Sequence, residues 1–158
     1  MSEDANIRAS HYFVAHTDPI CWKCRQSTRV TGVIVPAGFE EVEDWGNGPE
    51  VIVHDDAAFL QNIRDLWATV AARLKQLAPM LYIDSSATSQ ESYWMNHCDH
   101  CDAKQGDHFL FSEPGVAFFP TTEDEMSRIV VTLIDEPFVA HGSVSFGPAD
   151  SVLKARSK

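Results

Sequence analysis

Positive charge is what this chain has least of. Twelve Lys and Arg stand against 23 Asp and Glu in 158 residues, a net charge of −11. No Lys or Arg occurs between Arg29 and Arg64, an interval holding Glu40, Glu41, Glu43, Asp44, Glu50, Asp55 and Asp56. A nucleic-acid reader needs a basic face, because phosphate contacts supply most of its affinity; nucleic acid is therefore an unfavoured partner. No apolar run approaches the roughly 18 residues of a membrane helix. The polar, acidic start, residues 1–6, does not read as a secretion signal, so cytoplasm is the expected compartment. Gly-x-Ser-x-Gly, His-Glu-x-x-His, a phosphate loop and a dinucleotide fingerprint are all missing.

Cysteine is scarce as well, and its placement is informative. All four cysteines fall in two Cys-x-x-Cys pairs, Cys21-Trp22-Lys23-Cys24 and Cys98-Asp99-His100-Cys101. Two intervening residues let the backbone turn tightly enough for both sulfurs to face one ion at about 2.3 Å. Four thiolates make a closed tetrahedral zinc site with no position for water or substrate, which points to a structural ion. Iron can occupy the same ligands. The pairs are 73 residues apart, so one shared ion would enclose a whole structural unit. A covalent closure of that length is worth roughly 4 kcal/mol in the chain-entropy model, and a metal clip acts in the same sense. Disulfides, a redox pair at Cys21 and Cys24, and two unrelated buried pairs are the competing readings. A strand-like stretch, 28–35, follows the first pair where a thioredoxin-like site needs a helix. Lys23, Arg25 and Lys104 stand beside the ligands, where they can offset the site's negative charge.

The length suits one domain, residues 1–158, with flexible ends at 1–7 and 150–158. Short apolar stretches at 11–15, 30–35, 51–53, 80–83, 108–111, 116–119 and 144–146 read as strands separated by tight turns. Phe59, Leu60, Ile63, Leu66, Trp67, Val70, Ala71, Leu74 and Leu77 recur at spacings of three and four, which predicts one long helix over about 56–78. Asp55 or Asp56 would cap it, and Pro79 would stop it. Thr122 with Glu125 forms a capping box and predicts a short helix from Glu123. The β-branched run 129–134 leaves that helix's end open. The expected fold is α+β: a mainly antiparallel sheet, one long helix packed on it, and a zinc-ribbon-like pair of knuckles.

The second knuckle sits in a longer motif, Asn96-x-Cys98-x-x-Cys101-x-x-x-Gln105-Gly106-Asp107 followed by Phe109-Leu110-Phe111. Together with Cys21-Trp22-Lys23-Cys24 it resembles a pattern in uncharacterised bacterial zinc-knuckle proteins, over about a third of the chain. The resemblance implies a zinc-binding module and brings no activity with it. In such proteins Gly commonly follows the second cysteine of a knuckle; Arg25 and Asp102 stand there instead, so a slightly strained turn is expected. Gly106 is a candidate for positive φ on leaving the knuckle. Gln105 and Asp107 are candidates to bind its exposed amides, with a catalytic Asp107 as the alternative.

Two functional classes remain open. The first is a non-catalytic, zinc-stabilised module that binds another protein, such as an adaptor or a toxin-neutralising immunity protein. Its candidate contact residues are Glu40, Glu41, Glu43, Asp44 and Trp45, with Phe39 nearby: carboxylates to steer a basic surface and aromatics to anchor it. The plainer reading of that stretch is a solvated loop whose aromatics pack back on the core. The second class is a metal-dependent, hydrolase-type enzyme using His97, Asp99, His100, Asp102, Asp107 and His108 around the second knuckle.

Overall fold

The computed structural model describes residues 5–44, 46–86 and 90–156. In chain order its elements are β1 (Ile7–Ala9), β2 (Tyr12–Thr17), β3 (Val30–Val35), β4 (Glu40–Asp44), β5 (Pro49–Val53), β6 (Ala58–Leu66), α1 (Ala68–Leu77), β7 (Leu81–Ser85), β8 (Ser92–His97), β9 (Lys104–Gln105), α2 (Asp107–Phe111), α3 (Glu123–Ser127), β10 (Val130–Ile134), β11 (Phe138–Ser145) and α4 (Ala149–Arg156). Eight strands form one sheet in the order β10-β2-β3-β6-β11-β1-β4-β5, and β7-β8-β9 form a second. Every pairing is antiparallel. The fold is thus α+β with a mainly antiparallel sheet.

The large sheet is buried on both faces at its centre. In β3 all six residues are buried, and period-two alternation sends Val33 and Val35 to one face and Val30 and Ile34 to the other. On the first face they meet Tyr12, Val14, Leu60, Val70 and Leu74, so α1 covers that side together with Leu81 from the small sheet. On the second face they meet Phe59, Leu110, Phe111, Phe118 and Val152, which bring in α2 and α4. Gly32 allows this packing, because a Cβ there would stand 3.2 Å from the Phe118 ring.

The predicted long helix is corrected. Its first half is the nine-residue strand β6, and only Ala68–Leu77 is helical. The misleading signal has a physical origin. Leu66 pairs with Ala140 and Asp65 with His141, but Gln61 already pairs with Ser143. Two extra residues are therefore accommodated in β6, around Asn62 at φ 51°, a conformation Asn tolerates. The bulge places Leu60 and Ile63, three apart, in the same core, which imitates helical spacing. Asn6 braces the opposite strand, exchanging two hydrogen bonds with the Gly142 backbone at 2.9 and 3.0 Å. Asp55 and Asp56 do not cap α1; Trp67 precedes it and supplies no side-chain cap.

Two further expectations change. Residues 108–111 belong to helix α2, and 116–119 form turns, with Phe118 N donating to Leu110 O at 2.9 Å. The capping box holds: the Thr122 side chain accepts from Glu125 N, and α3 follows it. The end segments expected to be flexible overlap β1 and α4, where Ile7 and Val152 are buried.

Candidate metal centre

The first knuckle lies between β2 and β3 and the second between β8 and β9, so two sheets deliver the four cysteines to one place. Cys21 Sγ lies 3.7 Å from Cys101 Sγ, and Cys24 Sγ lies 3.6 Å from Cys98 Sγ. All four sulfurs fall within 4.8 Å of one another. With metal–sulfur bonds of about 2.3 Å, the edge of a regular tetrahedron is about 3.8 Å. The spacing fits a metal ion, and all four cysteines are free thiols.

The knuckles repeat each other at an offset of 77 residues, from Cys21 to Cys98. Arg25 N donates to Cys21 O at 3.1 Å, and Asp102 N donates to Cys98 O at 3.0 Å. Cys21 N donates to Gln26 O, and Cys98 N donates to Ala103 O, both at 2.9 Å. The bridge Ile20↔Ser27 corresponds to the pair His97↔Lys104. Arg25 and Asp102, expected to be strained, have φ of 65° and 62°, the left-handed region that favours glycine. The closing turn is thus the same in both knuckles and is imposed on side chains that resist it.

Amide and hydroxyl donors surround the sulfurs. Lys23 N lies 3.4 Å from Cys21 Sγ, and His100 N lies 3.3 Å from Cys98 Sγ. The side chains then cross over. Gln105, from the second knuckle, directs Nε2 to Cys21 Sγ at 3.3 Å and also donates to Ala103 O at 3.1 Å. That carbonyl can only accept, which fixes the amide's orientation. Thr28, at the matching position of the first knuckle, accepts from Asp99 N at 2.8 Å through Oγ1. Its hydroxyl hydrogen is left to favour the Cys98 thiolate. Both side chains are buried.

These donors act on the thiols. Burial pushes Cys21 up, but the Cys24 and Lys23 amides and the sulfurs of Cys98 and Cys101 outweigh it and bring it down to about 6. Cys98 is pushed up by burial and lowered overall by the Cys101 and His100 amides, Cys24 and Thr28. Cys24 is pulled down by the Gln26 amide, yet burial and the other three sulfurs raise it to about 12. The amides around the cluster therefore favour negative charge on its sulfurs, and the crowding of the four sulfurs opposes it. Four thiolates together require a cation.

The other polar residues of the second knuckle are engaged elsewhere. His97 is buried, with Nδ1 3.1 Å from Met80 O, Nε2 2.8 Å from Asp84 Oδ2, and its ring stacked on Tyr82 at 3.7 Å. His100 Nε2 faces Ser27 O at 2.9 Å, and Asp99 accepts from Arg29 N at 3.1 Å. Asp102 accepts from Tyr82 OH at 2.9 Å, and His108 Nδ1 faces Ser112 Oγ at 3.0 Å. Asp107 accepts from Asn62 N at 2.7 Å, bracing the bulge of β6. Burial raises its pKa to about 6 against the pull of that amide. Among the described residues, no second group of three metal-binding side chains gathers.

Gly106 has φ −67° and not the positive value expected. Its role is close approach: a Cβ there would lie 3.3 Å from Tyr93 OH, which accepts from Asp107 N at 3.1 Å. Of the three cations expected to offset the site, Lys104 donates to Ser85 O and lies 3.7 Å from Asp84, while Lys23 and Arg25 are exposed. An open groove of about 550 Å³ runs beside the first knuckle, but its charged groups are already paired. Asp18 meets Arg29, Glu125 accepts from Thr121, and Arg128 meets Asp124.

The acidic stretch forms the β4–β5 hairpin, not a loop. Glu41 Oε1 lies 2.8 Å from His54 Nε2, Asp44 accepts from Gly46 N at 2.8 Å, and Glu40 and Glu43 are partly exposed. Phe39 is buried and stacks on His54, so it packs on the core. Trp45 lies outside the described residues. The crossed donors Gln105 and Thr28 were not predicted as a pair; the shared offset of 77 was the signal that relates them. No protein-family model, curated protein or solved structure matches the chain. No helix among the described residues is long and apolar enough to cross a membrane.

Proposed function

We propose that Cys21, Cys24, Cys98 and Cys101 hold one structural zinc ion in a ribbon-like pair of knuckles, and that the chain is a non-catalytic module that binds another protein. The observation that carries this reading is the sulfur cluster: four thiols within 4.8 Å of one another, enough donors to fill every position of a tetrahedral ion. Iron suits the same donors, and finding it would change the ion but not the clasp. A reducing compartment such as bacterial cytoplasm suits four thiolates.

The proposed partner is a protein with a basic surface. The support is the acidic hairpin, where Glu40, Glu41, Glu43 and Asp44 lie on one strand and charge of one sign steers association. A hydrolytic metal enzyme has less support, since the His and Asp residues of the second knuckle already serve structural contacts. The test is cooperative unfolding of zinc-loaded protein with and without a chelator. Loss of the whole domain's transition on metal removal is the expected result, because metal binding is linked to folding. An unchanged transition would refute the clasp.

A further inference from the structure

The eight-stranded sheet ends at β5, whose outer side is unpaired among the described residues. The pairing with β4 fixes which backbone groups face outward. His54, next along the chain, donates to Phe39 O at 3.0 Å and accepts from Gly38 N at 2.7 Å, so its polar backbone groups face β4. This direction alternates along an antiparallel strand. Ile52 and Glu50 therefore face inward, and Val51 and Val53 point their N–H and C=O to solvent. Pro49, which has no N–H, closes the far end of this edge.

The side chains sort the same way. Val51 is 53% exposed and Val53 61% exposed, on one face of the ribbon. On the other face Glu50 stands directly across from Glu43. Exposed edges are commonly guarded by Lys, Pro, bulges or a covering segment. This one has no Lys, Pro49 guards only its far end, and the charged side chains of β4 and β5 are all carboxylates, with Arg8 of β1 standing across from Glu40. Those carboxylates disfavour a second copy, which would add Glu50 and Glu43 to the same face. They favour a cationic strand.

We infer that the outer edge of β5 accepts an extended segment of another protein in which apolar and basic residues alternate. Its backbone bonds to Val51 and Val53, its apolar side chains cover those valines, and its Lys or Arg side chains lie over Glu43 and Glu50. This rests on the protein-binding reading above and specifies its partner.

The experiment uses the full chain, zinc-loaded and isotope-labelled, titrated with a capped Val-Lys-Val-Lys-Val-Lys peptide. Controls are the block isomer Val-Val-Val-Lys-Lys-Lys and the acidic Val-Glu-Val-Glu-Val-Glu. The Val51 and Val53 amide signals should shift and gain protection from exchange. The alternating peptide should bind about tenfold more tightly than its block isomer, and the acidic peptide should not bind. Val51→Pro removes an N–H that makes no internal bond, and should abolish binding. Val51→Lys, which keeps the backbone intact, should do the same by repulsion. Silent Val51 and Val53 signals, equal binding by the block isomer, or shifts confined to the opposite edge at β10 would overturn the inference. Zinc content measured on the same samples separates the two levels. A silent edge on a zinc-loaded protein removes this partner alone, whereas absence of metal removes the clasp whatever the peptide does.

Discussion

The second knuckle and the β4–β5 hairpin are both rich in carboxylates, and they use them in opposite ways. Around the knuckle each one has a definite donor: Asp99 has Arg29 N, Asp102 has Tyr82 OH, and Asp107 has Asn62 N. In the hairpin Glu41 meets His54, but Glu43 and Glu50 have no polar partner among the described residues. One region spends its polarity on fixing geometry. The other leaves polarity, exposed valines and an open strand edge facing solvent. Residue composition alone draws attention to the His-rich knuckle; its hydrogen bonds show those side chains holding neighbouring segments in place.

The comparison breaks first at the clasp. Cys98→Ser should lose the metal and destabilise the whole domain by roughly 4 kcal/mol or more. Thermal unfolding with zinc present, compared with wild type, reads this directly; coincident transitions would mean that the site does not join the sheets. Next comes Asp107. Its folded pKa of about 6 lies above the ordinary carboxylate value, so its contribution is greatest in acid and is lost as pH rises through about 6. Asp107→Asn keeps an acceptor for Asn62 N and carries no charge. Relative to that variant, wild type should lose about 2–3 kcal/mol between pH 4 and pH 7. Parallel stability profiles from denaturant titrations would show that burial does not penalise this carboxylate.

A smaller effect sharpens the view of the clasp as a cross-braced unit. Gln105→Ala and Thr28→Val each remove one crossed donor. Each should weaken zinc binding about tenfold while leaving one ion bound. Competition with a chromophoric chelator measures the affinity; an effect in one variant only would show that the crossing is not reciprocal. The smallest stability effect belongs to the hairpin. Replacing Glu40 and Glu43 with Gln should change folding by about 0.5 kcal/mol or less and leave zinc content intact. Association with a basic partner should slow and lose salt dependence, as read by stopped-flow rates at several salt concentrations.

The cysteine cluster was legible in the sequence because its members form two short-range patterns and their chemistry admits few donor sets. The strand at Val30–Val35 was legible as a β-branched run, and α3 as a side-chain cap. β6 was not, because its bulge at Asn62 turns period two into spacings of three. The four residues 108–111 were too few to distinguish a strand from one helical turn; Gly106 and Asp107 start α2 through their contacts with Tyr93 and Asn62. The acidic stretch was legible as charge but not as a sheet edge, since edge position depends on β1 and β11, which lie far away in sequence.

The central claim is that one zinc ion joins the two knuckles. Elemental analysis of the protein purified under reducing conditions tests it most directly, with cysteine reactivity measured on the same sample. The account predicts one zinc per chain and four thiols that become reactive only when a chelator removes the ion. A protein with no bound metal and four freely reactive thiols would contradict it.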